Sequence, residues 1–280
     1  MDIVGATGGV DVSRGMAIEQ ASRRIFFGVA TLLFAASAAV TIARCTSMST
    51  MGGMPMPGGW TMSMTWMRMP GQTWPSATAA FLGMWVVMMV AMMLPSLAQV
   101  LWRCRQAIGR TGNARPGRLA TIVGVGYFAV WTVFGMAAFA LGAALATIEM
   151  QQPALARGVP IAVGGVVLIA GALQFTAWKA RQLACCRNAP GHDRRLPVNV
   201  GMAWRLGLRL GFHCNLCCAG STAVLLVIGV MDLQAMAAVT AAITLERLAP
   251  AGERVARASG AVAIGAGLFV IASHAFAFTW

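Results

Sequence analysis

Acidic residues are scarce: Asp and Glu number 8 in 280 positions, and charged residues of both signs make up 10%. Soluble domains carry about 25%, so a soluble globular fold is excluded. The chain has no Gly-rich phosphate loop and no soluble domain, which argues against ATP-driven pumping. It offers no Ser/His/Asp set for hydrolysis. Its apolar runs lack the period-2 alternation of a membrane β-barrel, so that class is set aside. No internal repeat and no second domain is visible.

What is present is apolar: 58% of residues are hydrophobic, with a mean hydropathy of +0.72. Such a chain satisfies its buried backbone groups in a lipid bilayer, as helices. The expected fold is all-α, a polytopic transmembrane bundle of about seven spans. Residues 1–24 read as a loose N-terminal segment and 25–280 as a single membrane domain. The spans are expected at 25–43, 77–102, 119–147, 160–178, 210–231, 233–245 and 258–278, each near the roughly 20 residues that a hydrocarbon core requires. The first run is long for a signal peptide and no clear small-residue cleavage site follows it.

The net charge of +13 could suggest a nucleic-acid partner, but its distribution explains it better. All of the 21 Lys and Arg except Arg44, Arg68 and Arg157 fall in the N-terminal segment or in alternate connections. That bias sets the N-terminus inside and the C-terminus outside. The chain then reads as a multi-pass protein of a bacterial inner membrane. A Met-rich loop, 44–75, lies outside and a basic loop, 178–209, lies in the cytosol.

The second span carries Met84, Met88, Met89, Met92 and Met93. At about 100° per residue, Met84, Met88 and Met92 fall within an arc of roughly 80°, one turn apart. Met89 and Met93 widen the stripe. Methionine often fills apolar cores, but stacked thioethers are also soft ligands suited to Cu(I). The loop before this span holds Met48, Met51, Met54, Met56, Met62, Met64, Met67 and Met69 among Gly, Pro, Ser, Thr and Trp. Gly and Pro disfavour any regular element there. Packing explains a solvent-facing methionine poorly. Insertion into the membrane interface through Trp60, Trp66 and Trp74 is the plain alternative to metal collection.

Seven cysteines are present, with Cys185-Cys186 in the basic loop and His213-Cys214-x-x-Cys217-Cys218 at the start of span five. On a helix the latter four span only about 140°. Single buried Cys are often inert hydrophobes, but three Cys and a His on one helix end point to metal or redox chemistry. Zinc would not need the Met ladder, so the combination fits Cu(I). Arg205 and Arg209 are the nearby cations expected to favour thiolates. Asp232 and Glu246 are expected at membrane ends, facing headgroups or pairing with Arg247, with a gating or proton role as the alternative. His192 reads as solvated and His274 as a core residue.

At these motifs the chain resembles a family of bacterial integral membrane proteins catalogued as domain of unknown function 2182. That family is described as metal-binding and includes a copper chaperone associated with a polyphenol oxidase. The matching residues are Met84-Trp85 through Met92-Met93-Leu94-Pro95, then Gln174-Phe175-Thr176 with Lys179. They continue with Cys185-Cys186-Arg187, Pro190, Gly211, Cys214, Cys217-Cys218, Met231 and Glu246. Gln182 stands where the family pattern has a Cys, and Leu216 where it has a Gly. The resemblance implies copper handling or maturation of a copper protein.

The expected function is a non-enzymatic membrane protein that collects Cu(I) through the Met-rich loop and ladder. It would pass the ion to the Cys/His site for transport or for delivery to a copper-accepting protein. The rival is a membrane thiol-disulfide oxidoreductase using Cys214, Cys217 and Cys218, which would need an exchangeable thiol and a redox partner. A homo-oligomer is compatible with either.

Overall fold

Helices carry almost all of the described chain. The computed structural model describes residues 5–50, 52–57, 59–68, 71–110, 115–188 and 197–277. Met51, Met69, Pro190, His192, Arg194 and Arg195 lie outside them. The helices are α1 (Gly5–Thr50), α2 (Trp74–Arg110), α3 (Pro116–Gln151), α4 (Pro153–Leu173), α5 (Ala177–Asn188), α6 (Val200–Ile228), α7 (Leu233–Leu248) and α8 (Gly252–Ala277). Six of them, all but α5 and α7, are long and apolar enough to cross a membrane. The all-α bundle expected from composition is the observed architecture.

Three sequence expectations need correction. The segment expected to be loose is helical from Gly5 onward, because 16–24 (Met-Ala-Ile-Glu-Gln-Ala-Ser-Arg-Arg) is rich in strong helix formers. The loop 44–75 is not wholly irregular. It opens with the last two turns of α1 and holds a small antiparallel hairpin, β1 (Met54–Met56) with β2 (Trp60–Met62), followed by a 3-10 turn at Met64–Trp66. Gly59, at φ +77°, supplies the left-handed residue that a tight reversal needs. The basic loop 178–209 is largely helical, divided between α5 and the first turns of α6. Thr176 Oγ1 caps α5 by accepting from the Lys179 N–H. The short span expected at 233–245 is the helix α7 (Leu233–Leu248). It has 16 residues, a rise of about 24 Å at 1.5 Å each, against a hydrocarbon core of about 30 Å.

Small residues let the long helices approach closely, as membrane bundles require. Between α3 and α6, a Cβ on Gly207 would strike the Val123 carbonyl and Gly126 Cα. Between α4 and α8, Gly164, Gly171, Gly260 and Gly267 bring backbone against backbone. On the α2–α3 face, Trp85 lies against Gly135 and donates from Nε1 to the Trp131 carbonyl at 2.9 Å. Gly207→Ala is therefore expected to lower stability by about 1–3 kcal/mol through overpacking. Gly165→Ala, whose Cβ meets nothing within 4 Å, should leave it nearly unchanged. Thermal unfolding of the two variants in detergent makes the comparison.

The main core runs the length of α2 and its neighbours. It includes Cys45, Phe81, Trp85, Met88, Met89, Met92, Met93, Tyr127, Trp131, Leu183, Cys214, Cys217, Cys218 and Met236. The hairpin sits against one end of the bundle, tied by Trp60 Nε1 donating to the Ala156 carbonyl at 2.8 Å. Trp66 packs on Phe81 with ring centroids 5.5 Å apart.

Candidate metal centre

Val200 opens α6 after Asn199, whose side chain caps the helix by accepting from the Met202 N–H. Cys214 therefore lies about 21 Å along the helix. Cys214, Cys217 and Cys218 are all buried. On α2, Met88, Met89, Met92 and Met93 are buried in the same core and Met84 is half-buried at its edge. Periodicity placed these methionines on a stripe; the fold puts that stripe in the core that holds the thiols.

At the centre of the thiols is a cation that the sequence reading left in a turn. Arg247 Nη2 lies 2.7 Å from Cys214 Sγ, 3.7 Å from Cys218 Sγ and 3.8 Å from Cys186 Sγ. Its Nη1 donates to Ser96 Oγ at 3.1 Å, while Nε is buried without a hydrogen-bond partner. The only tyrosine of the chain, Tyr127, is also buried and its hydroxyl is 2.7 Å from Cys214 Sγ. Arg205 and Arg209, the cations expected near the thiols, are exposed on α6.

Next to this cluster is a buried ion pair. Lys179 Nζ is 2.8 Å from Glu246 Oε2, with both side chains at 5% exposure or less. Lys179 also donates to the Cys217 carbonyl at 2.8 Å, and Ser259 Oγ donates to Glu246 Oε1 at 2.9 Å. Glu246 thus pairs with Lys179 rather than facing headgroups or pairing with its neighbour Arg247. Consecutive helical residues point about 100° apart, so Glu246 and Arg247 reach different partners. The pair links α5, α6, α7 and α8 around the thiols, and it accounts for Lys179 and Glu246 among the residues that carried the resemblance.

The remaining candidates divide. Cys186 is half-buried and reaches Arg247, whereas Cys185 is exposed. His213 is half-buried, its Nδ1 lying 3.3 Å from Gln182 Oε1. Asp232 caps α7, accepting from the Ala235 N–H at 2.8 Å. In the hairpin region Met62 is buried, Met48, Met56, Met64 and Met67 are half-buried and Met54 is exposed. Among the described residues no group of three or more His, Cys, Asp or Glu is arranged to hold an ion as it stands. The thiols gather around the guanidinium instead. Chemically the donor set is soft, three thiols with the hydroxyls of Tyr127 and Ser96 beside them, which suits Cu(I).

The copper chaperone family PpoB2 matches residues 82–270, which covers most of α2 through most of α8 and every residue of the thiol cluster. No curated protein and no solved structure matches the chain. The chain belongs to the PpoB2 copper chaperone family. Membership of a copper chaperone family implies copper binding, an accessory role and a copper-accepting partner.

Proposed function

We propose that this protein is a multi-pass copper chaperone of a bacterial inner membrane that carries Cu(I) along a thioether path to a cysteine site. The supporting observation is the convergence of Cys186, Cys214 and Cys218 on the single nitrogen Nη2 of Arg247. One cation already sits within reach of three sulfurs, so the pocket accommodates a monovalent cation. Cys217 lies in the same core beside them. In this reading Cu(I) takes the place of Nη2, and Arg247 withdraws toward Ser96 while keeping its positive charge nearby. Two thiolates and one Cu(I) carry a net charge of −1, which Arg247 offsets. Neutrality matters because an uncompensated charge in a dry interior costs several kcal/mol.

The positive-inside bias puts the hairpin on the external side. Cu(I) then passes from the hairpin methionines to Met84, Met88, Met89, Met92 and Met93, and from these to Cys214, Cys217 and Cys218. Thioethers form no disulfides on the oxidising side, and thiolates bind more tightly where thiols stay reduced. His213 and Cys185 lie beside the cluster, where an ion leaving for an acceptor protein would pass.

The test is the triple change Met84→Leu, Met88→Leu and Met92→Leu. Leu keeps volume and apolarity, so the cost in stability should stay below about 1.5 kcal/mol for each. Copper loading of the cysteine site in cells, measured as copper bound per purified protein, should fall sharply. Unchanged loading at normal expression would reduce the ladder to packing.

A further inference from the structure

A second group of sulfurs lies in the same core, at the hairpin end of the bundle. Cys45 Sγ, on α1, is 3.7 Å from Met231 Sδ and 4.0 Å from Met236 Sδ. The three residues come from α1, from the turn before α7 and from α7 itself. Cys45 and Met236 are 3% and 5% exposed. We propose that Cys45, Met231 and Met236 form a separate Cu(I) site, which receives the ion before the ladder does.

The geometry fits a shared ion. Three sulfurs bound to one metal ion at about 2.3 Å lie about 4 Å apart when the ion is in their plane. The observed separations of 3.7 and 4.0 Å match that spacing. Methionine as core filler requires only that its side chain occupy space. It does not require two thioether sulfurs from different segments to turn toward one thiol.

The charge count also closes. One thiolate and one Cu(I) sum to zero, and two thioethers add nothing, so the loaded site is neutral without a nearby Arg. The thiol cluster, by contrast, uses two thiolates and needs Arg247. Asp232 follows Met231 in the turn before α7. Its carboxylate also caps α7, fixing the turn that presents Met231. Thioethers hold Cu(I) less firmly than thiolates do, so the ion can move on. Met88 and Met89 belong to the same core as Cys45 and Met236 and provide the next ligands.

This inference rests on the reading of the protein as a Cu(I) carrier, and the experiment separates the two. The full-length protein, purified in detergent and reduced under anaerobic conditions, is titrated with Cu(I) against a competing Cu(I) chelator. Sulfur coordination is read by X-ray absorption. Wild type should hold one copper more per chain than the variant Cys45→Ala/Met231→Leu/Met236→Leu, with the tight copper of the thiol cluster unchanged. Met236→Leu alone, which keeps volume, should weaken that copper selectively, which covers the case in which the triple variant does not fold. Equal copper content and equal sulfur scattering in wild type and Met236→Leu would overturn the second site while leaving the thiol site standing. Wild type that binds no copper at all would overturn both.

Discussion

Changing Cys214, Cys217 and Cys218 together to Ser will remove tight Cu(I) binding from the purified protein. The loss should be on the order of a thousandfold or more in affinity, about 4 kcal/mol. Two of the three thiols around Arg247 disappear together with Cys217 beside them, and a hydroxyl is a poor ligand for a soft ion. Serine is close in size to cysteine, so the bundle should persist and copper content should drop without loss of expression. The sign of the pH dependence follows from ligation: copper displaces protons from the thiols, so wild-type affinity should fall as pH falls. The same residues in a thiol oxidoreductase would cycle between dithiol and disulfide without copper. The two chemistries diverge when a Cu(I) chelator is added during delivery to the acceptor protein. Copper chemistry requires delivery to stop and to return when copper is restored. Undiminished activity under chelation, with a Cys214–Cys217 or Cys214–Cys218 disulfide trapped during turnover, would establish redox chemistry instead.

The largest stability effect is expected at the buried pair. Glu246→Gln leaves the Lys179 ammonium without its counter-charge, and Lys179→Met leaves the Glu246 carboxylate likewise. Each single change should cost about 3–5 kcal/mol. The double variant Lys179→Met/Glu246→Leu removes both charges and should cost much less than the sum, since a well-packed apolar pair can replace a buried ion pair. A double-mutant cycle from thermal unfolding in detergent measures the coupling. The effect should extend to copper: Lys179 holds the Cys217 carbonyl, and Glu246 is next along α7 to Arg247. Single variants that fold with ordinary stability would mean that the pair is well solvated.

Copper affinity and bundle stability thus meet at residues of very different legibility. The methionine stripe was readable because Met88 and Met92 repeat at helical spacing within one element. Cys214, Cys217 and Cys218 were readable for the same reason. Arg247 was not. It looked like one more basic residue at a helix end, and its partners are Cys214, 33 positions away, and Ser96, 151 positions away. Glu246 was singled out as a carboxylate at a membrane end, but with the wrong partner, since Lys179 lies 67 positions from it. A basic, polar stretch reads as a loop between apolar runs. Residues 177–188 instead form a helix whose Lys179 and Cys186 turn inward, because burial there is offset by an ion pair and sulfur contacts rather than by apolar area.

The sequence alone determined the helical membrane architecture, the soft-donor chemistry and the line of thioethers. Each depends on composition or on spacing within a single helix, where 3.6 residues per turn fix which side chains share a face. Tertiary structure decided which of these faces meet and what stands between them. It set Arg247 among the thiols, paired Lys179 with Glu246 and brought Cys45 to Met231 and Met236. Those contacts join segments far apart in the chain. They follow from how glycine-lined helices such as α3 and α6 pack, and periodicity within one helix carries no record of its neighbour.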